Sequence, residues 1–270
     1  MLVDLGGQRV FVATGGRAHA PEAPLAVFLH GAGMDHSVWA LQARWFAHHG
    51  HRVAAVDLPG HGGSEGPPLP SIEALAAWTL TLVQRLGGGK TLLIGHSMGS
   101  LVALAAASLA PQQVGGLGLV GAAATMPVHP TLLAAAAAND PAAIAMVSLW
   151  GLGAEATLGG SETPGLWMLG GAERLLKSAP PGVLGVDLAA CNAYCDGLAA
   201  AAKIVGPTLL VLGERDLMTP RVAGEALARA IVGARAVVVP GAGHLLPAER
   251  PNELLTDALS ALNLRRAASK

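Results

Sequence analysis

Thr91-Leu92-Leu93-Ile94-Gly95-His96-Ser97-Met98-Gly99 reads as a buried strand running into a Gly-x-Ser-x-Gly turn, and Leu101-Val102-Ala103-Leu104-Ala105-Ala106-Ala107 beyond it reads as a helix. A serine held at a strained strand-to-helix corner needs neighbours without side chains, because the backbone bends sharply there. Such a corner lifts Ser97 out of the sheet. It also places the Met98 N–H at a helix N-terminus, where unsatisfied donors and the helix dipole favour an oxyanion. Among 36 glycines the spacing by itself is weak evidence, since a glycine-rich turn spells the same letters. The apolar run before it and the Ala/Leu helix after it supply the context the motif requires.

Upstream, Gln8–Ala13 alternates with the period of a strand, and Gly6-Gly7 predicts a hairpin with the first residues at a sheet edge. Leu25–Leu29 is a continuous apolar run of the kind found in strands covered on both faces. It ends in His30-Gly31-Ala32-Gly33, whose glycines let the chain present a second backbone N–H to a substrate. Ala32 is the preferred donor and Gly33 its rival, while His30 reads as a hydrogen-bonded structural residue. Ser37–His48 has helical spacing, and Arg52–Val56 is a strand leading into Asp57-Leu58-Pro59-Gly60-His61-Gly62-Gly63-Ser64. Turn hydrogen bonds account for the Asp and His of that loop. Ser71 caps a helix over Ile72–Leu86 that ends at Gly87-Gly88-Gly89, and Gly116–Val120 follows the Ser97 helix as another strand. This alternation is the pattern of an α/β fold with a mostly parallel central sheet flanked by helices.

With 52% hydrophobic and 13% charged residues, the 270-residue chain buries a large core, yet no apolar run is long enough to span a bilayer. A net charge of -1 gives no general pull toward nucleic acid or an anionic membrane, so the expected partner is a small-molecule substrate, with the protein a monomer or homodimer. Met1–Gly7 lacks the basic start and apolar centre of a signal peptide, which makes a cytoplasmic location the expectation. Cys191 and Cys195 are four apart, a spacing for two packed thiols on one helix face rather than a disulfide or a zinc site.

From Gly121 to Val205 the alternation stops, giving way to alanine-rich helical pieces broken by glycine and proline. Its Met126, Met146, Trp150, Trp167 and Met168 suit, as a set and together with Leu245, a lid over an apolar cleft, although each one singly is more often plain core. Arg174 and Lys177 are expected to face solvent. The sheet pattern resumes with Pro207–Leu212, followed by Gly213-Glu214-Arg215-Asp216, a helix from Val222 to Ile231, the strand Ala236–Val239, and Gly241-Ala242-Gly243-His244 before a last helix over Pro247–Leu262. Asp216 and His244 each stand just past the C-terminal end of a strand, the edge where open α/β sheets keep their chemistry. Ser97, Asp216 and His244 thus occur in the order nucleophile, acid, base. A neutral serine needs a base to take its proton, and an imidazole needs a carboxylate to hold its tautomer.

These motifs, in this order, resemble the α/β-hydrolase fold superfamily of the serine-hydrolase type. The resemblance rests on His30-Gly31-Ala32-Gly33, Asp57 to Ser64, Gly95-His96-Ser97-Met98-Gly99, Gly213 to Asp216 with Thr219-Pro220, and Gly243-His244, and it covers nearly the whole chain outside the insertion. It implies a core of residues 1–120 and 206–270, a helical cap over 121–205, a Ser97-His244-Asp216 triad, oxyanion donors at Ala32 and Met98, no metal and no cofactor. The loop after the sixth strand, Gly121 to Thr125, holds no carboxylate, which favours Asp216 as the acid and leaves Glu214 the weaker alternative. Serine at the nucleophile position sets the chain apart from the epoxide hydrolases and haloalkane dehalogenases of this fold, which use aspartate.

The expected reaction is hydrolysis of a small to medium, fairly hydrophobic carboxylic ester, thioester or lactone through an acyl-enzyme on Ser97. Two alternatives stay open: carbon–carbon bond hydrolysis or lyase chemistry by the same triad, and a ligand-binding receptor or carrier. Leu245-Leu246 after His244, where relatives that cleave carbon–carbon bonds often carry an aromatic residue, weighs against the first.

Overall fold

The computed structural model describes residues 1–18, 20–157, 160, 166–255 and 262. Among these described residues eight strands form one sheet, in the order β1-β2-β4-β3-β5-β6-β7-β8. They are β1 (Leu2–Leu5), β2 (Gln8–Ala13), β3 (Leu25–Leu29), β4 (Arg52–Val56), β5 (Thr91–His96), β6 (Val114–Val120), β7 (Thr208–Gly213) and β8 (Arg235–Val239). β1 and β2 form the hairpin, so the edge strand is β1, while β2 pairs antiparallel with β4. Every pairing from β4 through β8 is parallel. β3, β5 and β7 are buried along their whole length, which is why they read as unbroken apolar runs instead of alternating ones.

Helices cover both faces. On one side, α1 (Ala40–His48), entered through a 3-10 turn at His36–Trp39, packs Trp39 and Phe46 against Phe28, with Leu246, Leu254 and Leu255 completing the cluster. The rings of Trp39 and Phe46 meet that of Phe28 at tilted and edge-on angles, at 5.3 and 5.4 Å between centroids. On the other side, α2 (Ile72–Arg85), capped by the Ser71 hydroxyl, and α3 (Met98–Leu109) lie over β3 and β5. α3 is buried along nearly all of its length, so its small alanine side chains allow close packing on the sheet.

Between β6 and β7 the chain forms α4 (Pro130–Ala137), α5 (Pro141–Gly151), α6 (Ala154–Thr157), α7 (Met168–Ser178), α8 (Val183–Ala193) and α9 (Gly197–Ala201). Asp140 caps α5, with Pro141 in its first turn, where a missing N–H costs nothing. Helices α4 to α8 share a third apolar cluster built around Leu132, Val147, Met168, Leu176 and Leu188, while α9 packs Ala200 and Ala201 into the core that holds α3. After α10 (Arg221–Ala230) and β8, the chain ends its described path in α11 (Leu246–Glu249) and α12 (Pro251–Glu253).

Two local expectations are corrected. The helix expected over Pro247–Leu262 breaks at Arg250, whose φ of -135° is not helical, because Pro251 disfavours helical geometry in the residue before it; residues 256–261 lie outside the described set. Cys191 and Cys195 do not share a helix face, since α8 ends at Ala193; Cys191 is buried and Cys195 exposed. Lys177 pairs with Glu173 on the exposed side of α7, as its solvent-facing expectation requires. Among the described residues no helix is long and apolar enough to cross a membrane.

Candidate active site

The sheet order explains why distant motifs meet. β3 pairs with β4 on one side and β5 on the other, with Leu29 opposite Gly95, so the turns after β3 and β5 are neighbours at the point where the chain changes direction across the sheet. Ser97 sits there at φ 53° and ψ -120°, a conformation that costs a non-glycine residue free energy and ends β5 abruptly before α3 begins. The two motif glycines supply room for it. A Cβ on Gly95 would stand 2.0 Å from the Gly99 carbonyl oxygen, and one on Gly99 would stand 2.3 Å from that of Leu29. The Ser97 N–H donates to the Val120 carbonyl at 2.9 Å, tying the corner to β6.

Asp216 and His244 follow the adjacent strands β7 and β8. Nδ1 of His244 donates to Oδ2 of Asp216 at 2.8 Å, an arrangement that in the neutral form of the ring puts the lone pair on Nε2. Among the described residues that buried Nε2 has no hydrogen-bond partner. Thr219 donates its hydroxyl to the same carboxylate oxygen at 2.7 Å, and the N–H groups of Met218 and Thr219 donate to Oδ1. Burial works to raise the Asp216 pKa, but the charge of His244 and the bonds from His244 and Thr219 outweigh it and hold the carboxyl below its ordinary value. Glu214, the weaker candidate, accepts from the Gly241 N–H and lies beside Arg215.

The His244 loop is fastened from several sides. Its own N–H donates to the Gly151 carbonyl at 2.8 Å, and its carbonyl accepts from Nε2 of His96 at 2.8 Å. His96 is neutral, its pKa pushed down to about 3 by burial and then by the neighbouring charge of His244. The ring of His244 lies against Gly121 at the end of β6, where a Cβ would stand 3.1 Å away. Glu249 reaches over from α11, its Oε2 accepting from the N–H groups of Gly153 and Gly243.

Ser97 and His244 share a cavity of about 340 Å³ whose other walls include Ala32, Met34, Met126, Leu132, Val147, Trp150, Leu184 and Leu188. No lysine, arginine, aspartate or glutamate among the described residues lines it, and His129, Thr219 and Cys191 are among its other lining residues. Burial drives the Cys191 thiol pKa well up, so it stays protonated there. Of the six pocket residues expected from sequence, Met126 and Trp150 line this cavity. Met168 packs inside the helical cluster with Met146 at its margin, Trp167 is 67% exposed, and Leu245 is buried against Gly151. Met146 and Met168 serve the core that the helices share, as an apolar residue of an amphipathic helix readily does.

His30 is structural as expected: Nδ1 donates to the Gly31 carbonyl and Nε2 accepts from the Leu58 N–H, with its pKa lowered to about 3 chiefly by burial. Asp57 holds its own loop through the Gly63 N–H and also reaches the 3-10 turn, where its Oδ1 accepts from the His36 N–H and meets Nδ1 of His36, each at 2.7 Å, which goes beyond the turn bonds expected of it. His61 departs from the turn-only expectation, because its Nε2 meets Asp187 of α8 at 2.8 Å, while the N–H of Gly33 donates to the same oxygen at 2.8 Å. Sequence reading missed Thr219, Glu249 and Asp187 as site supports. Asp187 did carry a signal: it is the one acid in the apolar run Val183–Ala193.

A mostly parallel sheet with a serine at a strained corner after β5, and an aspartate–histidine pair after β7 and β8, defines a class of hydrolase-fold proteins. Residues 26–258 match the alpha/beta hydrolase family, and the chain belongs to it. It is 29% identical over 252 residues to the pimeloyl-[acyl-carrier protein] methyl ester esterase of Methylococcus capsulatus, covering 87% of this chain and 91% of that one. The enzyme of the same name from Aromatoleum aromaticum is 32% identical over 241 residues, covering 82% and 91%. In three dimensions the chain resembles the enol-lactonase from Burkholderia xenovorans LB400, with a TM-score of 0.84, 26% identity and coverage of 95% and 97%. It also resembles a thermophilic esterase from Thermogutta terrifontis, with a TM-score of 0.82, 26% identity and 98% of both chains covered.

Proposed function

We propose that the protein is a serine hydrolase that cleaves a small to medium, uncharged and fairly hydrophobic carboxylic ester, lactone or thioester, using Ser97, His244 and Asp216. The observation that carries this reading is the 2.8 Å His244–Asp216 bond at the edge of an apolar cavity that Ser97 also lines. Nε2 of His244 takes the Ser97 hydroxyl proton as Oγ attacks the carbonyl carbon, and Asp216 steadies the imidazolium. The N–H groups of Met98 and Ala32 receive the oxyanion; Gly33 is unsuited to that task because its N–H is engaged by Asp187. Collapse expels the alcohol with the proton from His244 and leaves an acyl group on Ser97. Water, deprotonated by His244, then releases the acid.

Residues 121–205, with helices α4 to α9, act in this reading as a cap, supplying Met126 from the segment before α4 and Leu132, Val147, Trp150, Leu184 and Leu188 from the helices to the cavity wall. A wall without fixed charge favours an uncharged substrate, since an ionised group would enter without a partner. The esterase and lactonase relatives support an ester bond as the point of attack. The test is turnover of p-nitrophenyl esters of increasing acyl length by the wild type and by Ser97→Ala. Serine-dependent turnover with a preferred chain length supports the proposal; Ser97→Ala turnover equal to wild type removes it.

A further inference from the structure

The oxyanion turn is tied to the helical insertion by one buried carboxylate. Oδ2 of Asp187, on α8, accepts from the Gly33 N–H at 2.8 Å and faces Nε2 of His61 at 2.8 Å. The side chains of Asp187 and His61 are each 1% exposed. The other ring nitrogen of His61, Nδ1, lies 3.0 Å from the Pro59 carbonyl oxygen. Carbonyl and carboxylate oxygens only accept, so both ring nitrogens donate and His61 is an imidazolium. The charges around it fit that state: Asp187 opposes it directly, Asp57 lies beyond, and the neighbouring ring of His30, 4.8 Å away between centroids, is neutral. His36, the other imidazole near this group, is itself held by Asp57.

We propose that Asp187 is a positioning residue for the oxyanion hole: clamped by the His61 imidazolium, it fixes the peptide between Ala32 and Gly33 and so completes, from the other side, the restraint on the Ala32 N–H that the bonds to the Gly31 carbonyl begin. The proposal rests on the serine-hydrolase reading above. Gly33 has φ 66°, in the left-handed region where glycine moves freely, so without a partner for its N–H the peptide between Ala32 and Gly33 would be free to rotate. The preceding peptide, which carries the Ala32 N–H, is held through its carbonyl, because Gly31 O accepts from Nδ1 of His30 at 2.8 Å and from the Met34 N–H at 3.2 Å, while Leu184 and Leu176 lie where a Cβ on Gly33 would meet them at 3.0 and 3.3 Å. The carboxylate holds the next peptide, between Ala32 and Gly33, in the same directional way. It also ties the turn to α8, so the hole is complete when the insertion is docked. A buried ion pair is poor evidence for net stability, and holding a catalytic turn is a reason for it to be there.

The test compares the wild type with Asp187→Asn, His61→Gln, the double variant and Leu176→Ala. Three quantities are read: kcat and KM for p-nitrophenyl butyrate, the rate constant for labelling of Ser97 by diethyl p-nitrophenyl phosphate, and the melting temperature. Asp187→Asn is expected to lower kcat and the labelling rate together by about 10- to 100-fold, with KM changed by less than about 3-fold. His61→Gln should act in the same direction, and the double variant should be little worse than Asp187→Asn. Leu176→Ala, which loosens packing on the turn without touching the carboxylate, should lower the melting temperature and leave kcat within about 2-fold. A folded Asp187→Asn protein with wild-type kcat and labelling overturns the proposal, as does a kcat loss matched by Leu176→Ala. Where Asp187→Asn does not fold, His61→Gln carries the same thresholds. If the wild type itself is not labelled at Ser97, the serine-hydrolase reading fails; normal labelling of both wild type and Asp187→Asn sinks the positioning role by itself.

Discussion

Oδ2 of Asp216 is shared by Nδ1 of His244 at 2.8 Å and the hydroxyl of Thr219 at 2.7 Å, so one carboxylate oxygen orients the imidazole and is itself oriented. The backbone donors on Oδ1 complete the arrangement and prevent the carboxylate from rotating. Imidazole and carboxylate are therefore held in place by bonds of their own, so that in the proposed reaction their alignment would not have to be recovered from binding energy.

Asp216→Asn would offer His244 an amide and allow the wrong ring tautomer. A fall in kcat of about 10⁴-fold is expected for a triad acid. Glu214→Gln, which alters an exposed acceptor of the Gly241 N–H, should stay within about 2-fold of wild type. Steady-state kinetics of the pair decides the assignment; the reverse ranking would move the acid to Glu214.

Thr219→Val removes one hydrogen bond worth about 1 kcal/mol and should lower kcat about 5-fold. It should also raise the Asp216 pKa. A carboxyl depressed in the folded state contributes stability above its ordinary value of 3.8 and loses it as pH falls through the folded value. The variant should gain less stability from this source and lose it at a higher pH, as denaturant melts across the acid range would show.

Ser97 holds a φ of 53°, where glycine is comfortable and serine is not. Ser97→Gly should raise stability by about 1 kcal/mol, Ser97→Ala should not, and both should lack turnover. Equal melting temperatures for the two variants would mean that the corner stores no strain.

The pair of His61 and Asp187 predicts a pH dependence of stability. Burial lowers the His61 pKa, but the bond and charge of Asp187 outweigh it and raise the value above 6.5. A base raised in the folded state contributes stability that is fully present below its unfolded pKa and is lost as pH rises through the folded one. Asp187→Asn should therefore cost the most, about 3 kcal/mol, on the acid side of 6.5 and progressively less toward alkaline pH. A cost independent of pH would mean that His61 is neutral.

The fold was legible in the chain because buried parallel strands leave unbroken apolar runs, as at Leu25–Leu29 and Thr91–Ile94, and because glycine-rich turns mark their C-terminal ends. The turns after β3, β5, β7 and β8 could be located from that pattern. The residues that hold them were harder to see. Thr219 reaches Asp216 three positions away through a turn whose geometry letters do not specify, and Glu249 looks like any acid on a surface helix. Asp187 and His61 are 126 residues apart, and their meeting depends on how the insertion packs on the sheet. The cavity wall was the least readable for the same reason: Met168 and Trp150 look alike in sequence, and tertiary packing turns one into the helical cluster and the other toward Ser97.

The most direct test of the central claim is the mass of the protein quenched in acid within the first turnovers of a p-nitrophenyl ester, with the modified peptide then sequenced. The account predicts an added acyl group on Ser97, formed as nitrophenol is released and absent from Ser97→Ala. Turnover with no acyl adduct, or an adduct on another residue, would contradict it.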